Sequence, residues 1–302
     1  MSYYNNDNAK QAGSSGLAAG QQEVDDAGRA ASKLLAAVYL FERTGTAAYQ
    51  QVVEGAYATY IPNWGPAQWH VDEQDTLLHY AKVAGVTPAV ATDIQTKYLT
   101  ALKTKNLFLP AITGNTDPYL SPMADWTWGS NQSKAALARF FLMVEAYGLD
   151  ATLVPSARSA AEGYLHYLHG VNPLGLVYLS NMQRAGAEHS VSTLYHTWFA
   201  HGSAKWDAVT ATTPGPAPGY LVGGPNPSYS VDACCTNGAL PLCFGSTDAA
   251  LCSMNLTPPL GQPSMKSYLE FNESWPANSW AVTENSNGYQ VQYIRALSSF
   301  AR

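Results

Sequence analysis

The chain has 302 residues, of which 46% are apolar and only 13% charged, with a formal net charge of −6. That composition supplies a sizeable core and rules out a disordered chain; the length suits one large domain or two small ones. The negative balance and the lack of any Lys/Arg stripe argue against a nucleic-acid partner, and no run reaches the ~18 apolar residues of a membrane span. The excess is aromatic, with 19 Tyr and 8 Trp. Such side chains pair a flat apolar face with a polar edge, which suits sugar rings as well as ordinary cores.

Residues 1–21 are polar and Gly/Ser/Gln-rich without a period, and read as a flexible tail; residues 22–302 read as one domain. From Glu23 to Arg43 the pattern turns helical, with Val24, Ala27, Ala31, Leu34, Val38 and Phe41 on one face. A second helix is expected from Ala47 to Thr59. After a Pro/Trp-rich break come Val71–Ala84 and a helix opened by Pro88 that runs to Thr104. A loop-rich passage ends in Met123-Ala-Asp-Trp-Thr-Trp128. The next segment, Asn131 to Gly148, is apolar nearly all round, so its helix should be buried. Pro155 opens an amphipathic helix with Ala157, Ala160, Ala161, Tyr164, Leu165 and Leu168 inward and Gly170 at its end. From Val171 to Ser267 helical signals thin out, apart from a short helix expected around 190–200. A connection that long is usually functional. Tyr289, Tyr293, Ile294, Leu297 and Phe300 then mark a last helix, which Thr283 is placed to cap, with Glu284 in its first turn. The total is about eight helices and no series of alternating strands. Short links between successive helices favour antiparallel neighbours, hence an all-α toroid or barrel with long loops at one end.

The start of the chain, Met1-Ser-Tyr-Tyr-Asn-Asn, lacks the basic and apolar regions of a signal peptide. The cysteines point to an oxidising compartment nonetheless. Cys234, Cys235, Cys243 and Cys252 crowd one loop-like stretch, which reads as two disulfides and a secreted protein. Three pairings are possible, and a bond between adjacent Cys234 and Cys235 would be strained. The spacing fits no common zinc pattern, and no His lies in the cluster.

Three later passages carry more than composition. They are Tyr164-Leu-His-Tyr-Leu-His-Gly-Val-Asn-Pro-Leu-Gly-Leu-Val-Tyr178, Pro216-Ala-Pro-Gly-Tyr-Leu-Val-Gly-Gly-Pro-Asn226, and the stretch from Trp275 to Phe300 with Thr283-Glu284. In that order and spacing, together with Trp126-Thr-Trp-Gly-Ser-Asn131, they resemble the C-terminal part of the glycoside hydrolase family 9 cellulases. The resemblance extends more weakly back to Glu23. It implies an (α/α)6 toroid that hydrolyses β-1,4-glucosidic bonds of cellulose or related β-glucans with inversion. One acid protonates the leaving oxygen while a second carboxylate, roughly 6.5–9.5 Å away, activates water.

By alignment to the family's final motif, Glu284 is the general acid, although the family's usual Asn is Thr283 here. Glu273 is the rival carboxylate and falls before the helix. A carboxyl group beside Trp275 and Trp280 would be desolvated and keep its proton near neutral pH, as a general acid must. His196 is the candidate for the family's substrate-gripping loop histidine, with His189 the alternative; the second His and the Arg often found there are missing. Trp126, Trp128, Trp198 and Tyr289 are candidates to stack on glucosyl rings. Gly223-Gly224-Pro225 lacks the Lys and setting of a phosphate loop; its glycines let the backbone pass close to the cleft.

The family's catalytic base lies in a DAGD segment. Asp26-Ala27-Gly28-Arg29 echoes it only superficially, with Arg in place of the second Asp and a helical context, so it reads as structural. The expectation is therefore an incomplete toroid, about eight of twelve helices, without its base-bearing part. Asp72, Glu73, Asp75, Asp117 and Asp125 are the substitutes available. The alternative is a glucan-binding remnant without turnover. No cofactor is required; calcium is an option, with Asp232 and loop carbonyls supplying oxygen ligands.

Overall fold

The computed structural model describes residues 26–60, 70–195, 209–210, 214–229, 256–271 and 279–301. Its helices follow the periodicity. Helix α1 (Asp26–Thr44) buries Leu34, Val38 and Phe41, three of the expected face. It packs on α2 (Ala47–Tyr60) and α3 (Val71–Tyr80). Glu54 ties these elements together: its carboxylate accepts from Gln50 of its own helix, from the Tyr80 hydroxyl at 2.9 Å and from Thr87 Oγ1 at 2.8 Å. Thr87 stands immediately before α4 (Pro88–Thr104), whose first turn holds the proline where a missing N–H costs nothing. A single-turn helix α5 (Leu109–Thr113) precedes the loop that leads to Trp126 and Trp128.

Helix α6 (Ser130–Ala146) is the axis of the packing, buried from Ser133 through Val144 as its all-round apolar sequence requires. It lies against α7 (Val154–Leu168), α3 and the last helix. Two basic side chains are buried with it, Lys134 and Arg139. Arg139 is neutralised by Asp72 (2.7 Å) and Asp75 (2.8 Å) of α3 and bonds to Gln292. Helix α7 buries the six predicted inward residues and passes so close to the 117–129 loop that a Cβ at Gly163 would stand 2.5 Å from the Leu120 carbonyl.

The region expected to be loop-rich holds a minimal parallel pairing of β1 (Val177–Ser180) with β2 (Ser190–Val191). The expected helix around 190–200 is thus a strand at its start, and residues 196–200 lie outside those described. The final stretch is two helices, α8 (Trp280–Thr283) and α9 (Asn287–Ser298). Helices α1 to α5 each pack on the next, and α6 packs on α7, giving an all-α assembly of hairpins in the manner of an incomplete (α/α)6 toroid. Tyr39 of α1 and Val291 and Ile294 of α9 present apolar surface outward.

Candidate active site

The three sequence passages are stitched together by backbone hydrogen bonds. In the first, Asn172 folds the turn after α7. Its Nδ2 donates to the carbonyls of Tyr167 and Leu176, both at 2.8 Å, and its Oδ1 accepts from Leu174 and Leu176 N–H. The chain then enters β1, where Tyr178 O accepts from Val222 N (3.2 Å) of the second passage. The second passage in turn meets the third. Gly223 N donates to Glu284 O, and Gly224 N to Val282 O, both at 2.8 Å.

Gly223 and Gly224 are needed at this junction. A Cβ on Gly223 would stand 3.2 Å from the Val282 carbonyl. Gly224 has φ +94, and a Cβ there would come within 2.5 Å of Asn131 Oδ1. Asn131 belongs to the Trp-Gly-Ser-Asn segment and is fully buried, with Nδ2 on Val222 O at 3.0 Å and its N–H on Gly223 O at 2.9 Å. Gly224→Ala is expected to cost about 2–4 kcal/mol through overpacking and a left-handed backbone, read as a fall in the thermal midpoint.

Glu284 is not in the first turn of the last helix, as the sequence suggested. It terminates α8 in an extended conformation, φ −61 and ψ 142. Thr283 does not cap α9 either: its hydroxyl turns back to Ser279, 2.5 Å from Ser279 Oγ and 3.0 Å from Ser279 O. The cap is Ser286, whose Oγ accepts from Tyr289 N at 3.2 Å. Glu284 therefore sits at the corner between two helices, its backbone fixed by Trp280 O (3.0 Å) and Gly223 N.

The walls of that corner are aromatic. Trp128 meets Trp280 edge to face at 4.5 Å, and Tyr195 lies 6.3 Å beyond Trp280. Tyr195 also runs parallel to Glu284 as an isolated bridge, its N–H on Thr283 O at 3.3 Å. Burial pushes the Glu284 carboxyl above its ordinary pKa, and a hydrogen bond from Trp128 offsets part of that rise. The same indole N–H reaches Tyr289, a buried phenol raised to about 12 by burial and by the neighbouring Glu284 charge. One donor is thus shared between the carboxylate and the phenol. Gly129 makes room for Tyr289: a Cβ there would stand 3.1 Å from its hydroxyl.

Of the remaining predicted residues, Trp128 is 36% exposed beside Glu284, whereas Trp126 packs inward. Its Nε1 donates to Met123 O at 3.0 Å and its ring lies 4.6 Å from Lys134 Nζ. His196, Trp198, Glu273, Trp275, Asp232 and the four cysteines lie outside the described residues. His189 bonds to Gly175 O at 2.9 Å. The proposed substitute bases have partners of their own. Asp72 and Asp75 are held by Arg139 and Arg295, and Glu73 is 3.8 Å from His70. Asp117 caps the Tyr119 N–H at 2.8 Å, and Asp125 accepts from Thr127. Among the described residues no three His, Cys, Asp or Glu side chains cluster as a metal site. Sequence reading missed Tyr195, which no motif marks, and Ser286, whose position three residues before Tyr289 is an N-cap signal.

Helical hairpins packed as an incomplete toroid, with a desolvated carboxyl group at an aromatic corner, define the class: an α/α-toroid-type protein. The sequence model of glycosyl hydrolase family 9 matches residues 3–290, and the chain belongs to that family. Two solved structures share the fold. One is AaCel9A in complex with cellobiose-like isofagomine, with a TM-score of 0.62 at 22% identity over 90% of this chain. The other is a single mutant of a thermostable endoglucanase from Alicyclobacillus acidocaldarius, with a TM-score of 0.57 at 21% identity over 89% of this chain. The chain spans 43% and 42% of their lengths respectively. No curated protein matched the chain in a sequence search.

Proposed function

We propose that this protein acts on β-1,4-glucans by acid/base glycoside hydrolysis, with Glu284 as the proton donor to the leaving oxygen. The observation that carries this reading is the carboxyl group raised in pKa by burial between Trp128 and Tyr289. A carboxylic acid so placed keeps its proton to higher pH and can deliver it to a glycosidic oxygen. Trp128, 36% exposed beside Glu284, offers aromatic surface for a glucosyl ring. His196 and Trp198, which follow Tyr195 in the sequence, are the side chains we assign to grip the sugar. The crowded cysteines support a secreted protein with disulfides in that region.

Inversion also needs a base, and the engagement of Asp72, Asp75, Glu73, Asp117 and Asp125 elsewhere favours a second reading, a glucan-binding chain without turnover. Reducing-sugar release from a soluble β-1,4-glucan, measured beside calorimetric binding of a cello-oligosaccharide, separates the two. Release with binding supports hydrolysis by this chain. Binding without release supports the second reading, and neither would overturn both.

A further inference from the structure

Glu270 lies outside the three family passages and has no part in the chemistry above. It is a partly buried carboxylate pushed above its ordinary pKa by desolvation, on the extended chain after the 3-10 turn Ser264–Lys266. One of its oxygens, Oε2, gathers three donors: Ser192 N at 2.8 Å, Ser192 Oγ at 2.7 Å and Thr193 N at 2.8 Å. Charge-assisted bonds of this kind are about twice as strong as neutral ones. Three on one oxygen leave little freedom to the two residues that make them. The same Ser192 presents its carbonyl to Val209 N at 3.0 Å, so this point is also where the chain returns.

Three residues beyond Ser192, Tyr195 donates to Thr283 O and pairs alongside Glu284, with its ring toward Trp280. The strap from Ser192 to Tyr195 thus has one end gripped by Glu270 and the other laid against the proton donor. We propose that Glu270 is a positioning carboxylate: by fixing Ser192 and Thr193 it holds the strap against Thr283 and Glu284 and keeps water from that side of the acid. The proposal rests on the reading of Glu284 as the acid only for its catalytic consequence. The mechanical link stands on the bonds themselves.

The test uses the full chain with 13C-labelled glutamate, the Glu284 carboxyl resonance being assigned by its loss in Glu284→Gln. Among the described residues Trp128 and Tyr289 face Glu284, and both stay unchanged. In Glu270→Ala the Glu284 titration midpoint is expected to fall by about half a unit or more, toward the ordinary carboxylate value, as water gains access. Glu270→Gln keeps a neutral acceptor and should restore part of the shift. Ser192→Ala, at a partly exposed position, removes one donor of the three and should move the midpoint slightly in the same direction. A wild-type midpoint in Ser192→Ala and in whichever Glu270 variant folds would overturn the proposal. Because the titration needs no turnover, failure to hydrolyse glucan would bear on the proposed function alone and leave the Glu270 result standing on its own.

Discussion

Glu284→Gln is expected to lower turnover on a soluble β-1,4-glucan by about 10²–10⁴-fold, the usual worth of a positioned proton donor, with sugar binding retained. Glutamine fits the same corner and still accepts from Trp128, but it has no proton to give. Reducing-sugar release measures the first effect and calorimetry with a cello-oligosaccharide the second. Activity that survives the substitution would remove Glu284 from the mechanism and reopen the case for Glu273.

The pH dependence carries a sign that can be worked out in advance. The folded pKa of Glu284 is raised by burial, so the acid form persists to higher pH than for a free carboxylate. Turnover should therefore fall on the basic side as pH rises through that value. Linkage gives the same group a stability contribution that is fully present below the unfolded pKa and lost as pH rises through the folded one. Glu284→Gln escapes that loss, so at neutral pH the inactive variant should melt no lower than the parent. A group kept for helix stability would show the reverse.

The helices were legible because burial follows the 3.6-residue period. Leu34, Val38 and Phe41 in α1 and the six inward residues of α7 are buried as their spacing requires. The corner at Glu284 was not, because Thr283 and Ser286 are both good N-cap residues and local sequence cannot rank them. Only the bond from Thr283 to Ser279, made inside α8, decides. The face of α9 was misread for a related reason. The spacing puts Ile294 on the face of Tyr289 and Tyr293, yet Ile294 is 58% exposed while Gln292 is buried. Gln292 bonds to Arg139 and donates to Asp72 at 3.2 Å, a polar network that no hydrophobic pattern encodes. The site was legible as motif order but not as contact: nothing in the passages themselves says that Gly223 would bond to the Glu284 carbonyl.

Lys134→Met is expected to abolish a rise in stability between about pH 7 and pH 10 that the parent protein should show. Lys134 is fully buried in α6. Its amine donates to the Ser121 carbonyl and to Ser121 Oγ at 3.2 Å, and stands 4.1 Å from the Tyr167 ring centroid and 4.6 Å from that of Trp126. Ring faces attract a cation, by about 2 kcal/mol when water is excluded. Desolvation works against the charge and lowers the amine to about 7 from its ordinary 10.5, with Asp117 opposing the shift. Between those values the unfolded chain carries a proton that the folded chain does not, so stability rises with pH. The stability tied to this group is complete above the unfolded pKa and is lost as pH falls toward 7. Near 1.36 kcal/mol per unit, the gain from pH 7 to pH 10 is about 4 kcal/mol. Methionine fills a similar volume and does not titrate, so its pH profile of stability should lack this gain. Urea unfolding of both proteins at intervals from pH 6 to pH 10 measures the difference between the two curves. Parallel curves would mean that the amine is held charged throughout, with the ring faces and Asp117 outweighing desolvation, and Lys134 would then be a permanent cationic pin on the loop that carries Trp128.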